Sequence, residues 1–370
     1  MAGMGPGASA FLGRNVLITG HTGFKGSWLT LWLAAAGARV SGLALDPPTN
    51  PALFDLAGVA RVLAADLRVD IRDGAATRKA IADVAPDVVF HLAAQPLVRA
   101  SYDDPLDTYA TNVMGTAHVI DGAARSGTKA FVCVTTDKVY HNREWVHPYR
   151  EADRLGGHDP YSASKAGAEL VATSLVNAMP VYAPDAAMTL ATARAGNVIG
   201  GGDFAADRLV PDCINAFCAN MPVRLRNPTA VRPWQHVLDP LSGYLTLAAW
   251  MLAGGPTAHA FNFGPDAGND AAVGDVAQRT AAAWGEGACV IEEPGLAAAQ
   301  GAPKPAPKEA GTLRLDSTKA RLDLGWQPVW DLETSIARTV DWYGAWHEGG
   351  DLRALTQAQI EEFRAASNDG

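Results

Sequence analysis

From residue 15 onward, short apolar runs alternate with segments whose apolar positions recur at helical spacing. The runs at 15–19, 39–45, 62–65, 87–92, 130–135 and 188–193 predict strands. The segments 28–36, 75–84, 108–124 and 161–176 lack internal proline and predict helices between them. Strands that alternate with helices in this way form parallel pairs, because a parallel partner needs a crossover long enough to hold a helix. The expected architecture is α/β, a doubly wound parallel sheet with helices on both faces.

Beyond Asn197 the rhythm changes to segments punctuated by Gly and Pro. Helices are predicted at 212–218, 237–252, 273–283, 317–324 and 332–346. The pattern divides the chain into a dinucleotide-binding part, 11–198, and a smaller mixed α/β part, 199–370, that mainly binds substrate. A strand near 258–264 is a candidate to return to the first part. The stretch 301–307 carries three alternating prolines and is either a lid over the site or a plain connector.

The chain has 370 residues, 48% hydrophobic and 19% charged, enough to bury a large core. A net charge of −9 argues against nucleic acid or an anionic membrane surface as partner and leaves small molecules. Cys133, Cys213, Cys218 and Cys289 lie in no metal or redox spacing, so free thiols in a reducing compartment and no metal are expected. No apolar run approaches the ~20 residues that span a bilayer, and the first ten residues lack the charged and apolar regions of a signal peptide. The expected location is cytoplasmic.

The first strand runs into Gly20-His21-Thr22-Gly23-Phe24-Lys25-Gly26 at the start of a helical pattern. Glycines at every third position allow a tight turn and close backbone approach, while the helix start offers unpaired N–H groups to a pyrophosphate. The expected fold is therefore Rossmann-type. Asp46, 20 residues beyond Gly26, either accepts ribose hydroxyls, favouring NAD over NADP, or caps the turn into Pro47-Pro48. Lys25 is an alternative partner for a cofactor phosphate. Asp70 and Ile71 are either an adenine contact or a solvated turn.

Tyr161 and Lys165 are four apart on a predicted helix and share a face. A nearby ammonium favours the phenolate, which takes a proton from a sugar hydroxyl as hydride leaves the same carbon. Thr136, Asp137 and Lys138 end the fifth strand, the edge where open α/β sheets place ligands. Asp137 with Lys138 reads either as proton-transfer groups or as an ordinary ion pair.

These motifs, with His91-Leu92-Ala93-Ala94, resemble the extended short-chain dehydrogenase/reductase superfamily. Gly-His-Thr-Gly-Phe-Lys-Gly-Ser-Trp at 20–28 and Arg-Pro-Trp-Gln-His-Val at 232–237 are similar, more narrowly, to CDP-glucose 4,6-dehydratases; the resemblance runs from about residue 15 to residue 330. It implies an NAD-dependent hydro-lyase of deoxysugar biosynthesis for cell-surface polysaccharide such as lipopolysaccharide O-antigen, acting on CDP-glucose as a homodimer built on helices 108–124 and 161–176. It implies Tyr161 as the base at C4, Thr136 as a hydrogen-bond partner of the 4-oxygen, Asp137 as the acid at C6 and Lys138 as the base at C5. Lys165 then orients the nicotinamide ribose and lowers the pKa of Tyr161. Cofactor contacts are Gly20, Thr22, Gly23, Phe24, Lys25, Gly26, Asp46, Asp70, Ile71, Leu92, Ala93 and Ala94, with Tyr161 and Lys165; substrate contacts are Gln95, Asn197, Arg208, Leu209, Arg232 and Asn262. His141 and Lys308 depart from the family pattern. An epimerase or reductase on this fold would not use Asp137 and Lys138, and a non-catalytic dinucleotide-binding protein would not need an intact Tyr161/Lys165 pair.

Overall fold

The computed structural model describes residues 8–225, 227–256, 259–266, 270–292 and 311–368. In chain order the first part runs β1 (Asn15–Thr19), α1 (Phe24–Ala35), β2 (Arg39–Ala44), α2 (Leu53–Leu56), β3 (Ala65–Arg68), α3 (Gly74–Val84) and β4 (Val88–His91). It continues with α4 (Val98–Asp103), α5 (Pro105–Tyr109), a π-helical turn at Ala110–Gly115, α6 (Thr116–Arg125), β5 (Ala130–Val134), α7 (Pro160–Tyr182) and β6 (Thr189–Ala195). There follow β7 (Asn197–Ile199), α8 (Leu209–Cys218), β8 (Val223–Leu225), β9 (Val231–His236), α9 (Leu238–Leu252), β10 (His259–Phe263), β11 (Asp270–Ala272), α10 (Val273–Trp284) and β12 (Val290–Glu292). The chain closes with α11 (Thr318–Leu324), α12 (Leu332–His347) and α13 (Leu352–Asn368).

The main sheet has the order β3-β2-β1-β4-β5-β6-β10, and all of its pairs are parallel. Its central strands are buried along their whole length, as expected when helices cover both faces. Alternate residues feed two cores. Val16, Ile18, Val88, Phe90 and Val132 pack with Trp28 of α1 and Leu241 of α9, while Leu17, Val89, Phe131 and Cys133 pack with Ile81 of α3 and Ile120 of α6. The late strand β10 pairs with β6, so the chain returns to the first sheet after β7, β8 and β9, and only then do β11 and β12 complete the β7-β9-β11 and β8-β12 sheets. The winding reverses between β1 and β4, and the main cleft opens beyond the carboxyl ends of these strands.

Several boundaries differ from the sequence pattern. The apolar run at 62–65 is not a strand: Val59–Val62 forms a 3-10 turn with Val59 in the core, and edge strand β3 begins only at Ala65. The helix at 108–124 is instead three joined pieces, with a π-helical turn in the middle. Helix α7 starts at Pro160 because Asp159 accepts the Ser162 N–H at 2.8 Å, and it continues through Pro180 to Tyr182. The proline-rich stretch 301–307 and Lys308 lie outside the described residues.

Candidate active site

The β1–α1 turn is shaped by steric necessity. Gly20 has φ +75°, and a Cβ there would lie 2.7 Å from the Ala93 amide nitrogen; a Cβ on Gly26 would lie 2.1 Å from the Gly20 carbonyl. Gly23 precedes helix α1 and offers no side-chain cap, so the first N–H groups of the helix are left to the cleft. Thr22 donates to the Leu45 carbonyl at 3.0 Å and ties this turn to the end of β2. Gly20, Thr22, Gly23, Phe24, Lys25 and Gly26 all line one cleft of about 950 Å³, joined by Asp46, Asp70, Ile71, Leu92, Ala93 and Ala94 from the ends of β2, β3 and β4. A cradle with no room for side chains, backed by an uncapped helix start, fits a dinucleotide pyrophosphate.

The individual side chains differ in freedom. The Asp46 carboxylate is 91% exposed and lies 3.8 Å from Arg68. Asp70 is instead held by the Arg72 guanidinium, which keeps its carboxyl below the ordinary range. Lys25 points into the site: burial, with the Arg208 guanidinium second, pulls its ammonium down to about 7.

Thr136, Asp137 and Lys138 follow β5 in a short 3-10 turn, while Tyr161 and Lys165 lie one helical turn apart on α7; all five line the cleft. Thr136 donates to Asp137 Oδ1 at 3.0 Å, and among the described residues Asp137 Oδ2 has no hydrogen-bond partner. Burial raises the Asp137 pKa against the opposing pull of Lys138, Thr136, Arg232 and Lys25. Burial thus shifts Asp137 toward its protonated form, with the Lys138 ammonium pulling the other way.

The expectation for Tyr161 needs correction. Burial pushes its phenol up to about 12, opposed first by Arg208 and then by a hydrogen bond with Thr136. Lys165 Nζ donates to the Val134 carbonyl at 2.9 Å, so in this state the ammonium is anchored on the end of β5. Its own pKa is lowered by burial.

On the other wall, Asn197, Arg208, Leu209 and Arg232 line the same cleft. Arg208 precedes α8 and lies 3.5 Å from Asp203, whereas Arg232 donates to the backbone carbonyls of Val231 and Gly311. Gln95 lines the cleft, with its amide donating to Leu97 and Thr108 and accepting from the Leu97 N–H. One assignment is corrected. Asn262 is fully buried on β10 outside the cleft; it accepts from the Tyr140 hydroxyl and donates to the carbonyls of Tyr149 and Asp316, so it organises the protein. His141 is also outside the cleft lining, with its ring 5.1 Å from that of His158. Among the described residues no cluster of three or more His, Cys, Asp or Glu is arranged to hold a metal, and no helix is long and apolar enough to cross a membrane.

A family model described as GDP-mannose 4,6 dehydratase matches residues 17–339. The chain belongs to this family. A CDP-glucose 4,6-dehydratase of Salmonella typhimurium is 44% identical over 96% of this chain and 97% of its own length. A dTDP-glucose 4,6-dehydratase of Streptomyces antibioticus is 30% identical over 90% of this chain and 94% of its own length. Among solved structures, a dTDP-glucose 4,6-dehydratase double mutant from Streptomyces venezuelae with NAD bound superposes with TM-score 0.73 at 23% identity. That match covers 92% of this chain and 99% of that one. The resemblance to nucleotide-sugar dehydratases and the Rossmann-type fold read from the sequence are borne out.

Within this member of the dehydratase family, the sequence reading missed several polar residues that shape the site. His21, inside the glycine turn, is buried with its ring nitrogen 2.8 Å from Asp66. His91 bridges Thr19 and Thr116 at 2.7 and 2.9 Å. Arg99 reaches Asp207 at 2.6 Å, and both line the cleft. His21 and His91 stand inside motifs already singled out, which was the available signal. Arg99 and Asp207 stand 108 positions apart with no such signal.

Proposed function

We propose that the protein is a CDP-glucose 4,6-dehydratase, converting CDP-glucose into CDP-4-keto-6-deoxyglucose. The observation that carries this reading is the gathering of Asp137 and Lys138 with Thr136, Tyr161 and Lys165 in one cleft, next to the glycine cradle. The reaction needs both sets of groups. Residues 20–26, Asp46 and residues 92–94 would hold NAD, which when bound would supply a hydride acceptor for C4 and a hydride donor for C6.

The chain's own residues move the protons. Tyr161 Oη, after giving up the proton that burial favours, takes the proton of the C4 hydroxyl while Thr136 Oγ1 holds the 4-oxygen. The resulting ketone acidifies C5, and Lys138 Nζ removes that proton. Asp137, whose burial favours the protonated form, protonates the C6 hydroxyl, which departs as water. Lys138 returns its proton to C5 as hydride adds at C6, and the proton taken by Tyr161 replaces the one Asp137 gave up, so the balance is the loss of one water with no net oxidation. Arg208 and Arg232 provide positive charge for the diphosphate, with Asn197 and Leu209 on the same wall. Residues 199–370 mainly form the nucleotide-sugar side, and 11–198 the cofactor side.

This reading includes a cytoplasmic homodimer in deoxysugar synthesis for cell-surface polysaccharide. Leu106, Tyr109, Met114 and Leu170 leave apolar surface exposed on α5, the π-helical turn and α7. Light scattering is expected to give twice the chain mass, against a concentration-independent monomer if the reading is wrong.

The substrate is tested by incubating the protein with NAD and, separately, CDP-, dTDP-, UDP- and GDP-glucose, then weighing the products. Loss of one water from CDP-glucose in preference to the others supports the assignment. Preference for another base overturns it while keeping the dehydratase chemistry.

A further inference from the structure

Behind the acid/base turn lies a buried ion pair that the reaction itself does not use. Arg194 of β6 and Glu169 of α7 meet side-on, Nε to Oε1 and NH2 to Oε2 both at 2.9 Å, with side chains 4% and 3% exposed. The carboxylate stays ionised despite burial: hydrogen bonds and charge from Arg194, with the hydroxyls of Thr135 and Thr192, hold its pKa below the ordinary value.

Three attachments radiate from this pair. Thr135, immediately before the catalytic turn, donates its hydroxyl to Glu169 Oε1 at 2.5 Å. Tyr140, two residues beyond Lys138, accepts from Arg194 NH1 at 2.9 Å, and the guanidinium carbon lies 5.0 Å from its ring centre. Glu169 itself stands one helical turn beyond Lys165 on the helix that carries Tyr161. Both ends of the 136–138 turn and the helix bearing the redox dyad are therefore fastened to the same two charges.

We propose that Glu169 and Arg194 are positioning residues that set the register between the Tyr161/Lys165 pair and the Asp137/Lys138 pair. This inference rests on the roles given to those four residues above. The elimination starts from a substrate already oxidised at C4, so the acid and base must meet C6 and C5 while the sugar remains seated against Tyr161. A fixed distance between helix and turn meets that need, and a covalently remote but rigid pair supplies it.

The test uses the full chain. The double variant Glu169→Met/Arg194→Met replaces both charges with apolar side chains, a change that buried pairs often tolerate in stability. Its expected signature is a folded protein in which turnover falls by about 10²-fold with KM for the nucleotide sugar held within a few-fold. Reduced nicotinamide and the 4-keto hexose that still carries its 6-hydroxyl should accumulate, and exchange of solvent deuterium into C5 should slow. A purely structural pair predicts otherwise: once folded, the double variant would turn over normally with no accumulation, and that result overturns the proposal.

Thr135→Val and Tyr140→Phe each cut one tether while leaving the ion pair in place, and keep the question open to refutation if the double variant does not fold. Each is expected to lower turnover and accumulate reduced nicotinamide; normal behaviour in both overturns the proposal. Lys138→Ala, run alongside, separates the two layers of the argument. Normal turnover by that variant removes the reading of the turn itself and the tether with it, whereas loss of water elimination there with normal tether variants removes the tether alone.

Discussion

Thr136 donates a 3.0 Å hydrogen bond to one oxygen of Asp137, and the other oxygen has no partner among the described residues. That second oxygen lies in a buried carboxyl whose pKa is raised first by desolvation. The arrangement suits an acid that waits with its proton for a leaving group.

Asp137→Asn keeps the size and removes the transferable proton. Water loss is expected to fall by about 10²- to 10⁴-fold, with C4 oxidation persisting as reduced nicotinamide. The same variant is expected to melt at a higher temperature near neutral pH. A carboxyl whose folded pKa lies above its unfolded pKa loses stability as pH rises between the two, and Asn escapes that cost. Wild-type turnover with an unchanged melting temperature would falsify this assignment.

Tyr161→Phe is expected to act one step earlier, losing about 10²- to 10⁴-fold in turnover. Single-turnover mixing should then show no burst of reduced nicotinamide. A normal burst followed by a stall would move the C4 base to another residue.

How much of this was legible in the sequence differs from element to element. The buried central strands and the glycine turn announce themselves because a parallel strand must be apolar on both faces and the turn admits no Cβ. Helix α13 was also readable in principle: Leu352, Thr356, Ile360 and Phe363 are buried at spacings of one face, although polar residues dominate the rest of the segment. The run at 62–65 misled because a 3-10 turn packed into the core is as apolar as a strand. The high pKa of Tyr161 depends on burial by residues distant in sequence, and the bond from Lys165 to the Val134 carbonyl crosses from helix to sheet. Likewise Glu169 and Arg194, 25 positions apart, become partners only when α7 packs on β6.

Asn262 illustrates the gap between resemblance and environment. Asn262→Ala removes three side-chain hydrogen bonds, two of them buried, and a cost of about 2–4 kcal/mol is expected from leaving their partners unsatisfied. Chemical denaturation should register the loss while KM for the nucleotide sugar stays close to wild type in the folded fraction. A raised KM with unchanged stability would restore Asn262 to the substrate site.

Asp239 gives a pH signature independent of catalysis. Buried at the start of α9, it accepts from the Val329 N–H at 2.7 Å, and burial raises its pKa to about 7. The folded state holds this proton more tightly than the unfolded state, so stability is expected to fall as pH rises from about 4 to about 7, by at most about 4 kcal/mol from this group. Asp239→Asn should flatten that slope in denaturation curves taken across the window. A variant whose pH dependence matches wild type would show that Asp239 is ionised throughout.

In the proposed reaction one cleft carries hydride from C4 to C6 of the same hexose while Asp137 and Lys138 remove water between the two transfers. CDP-glucose deuterated at C4 tests it most directly, with product position read by NMR and mass spectrometry. The label is expected at C6 of a 4-keto-6-deoxy product that has lost one water. Label returned to C4 of an intact hexose, as an epimerase would leave it, would rule this reaction out.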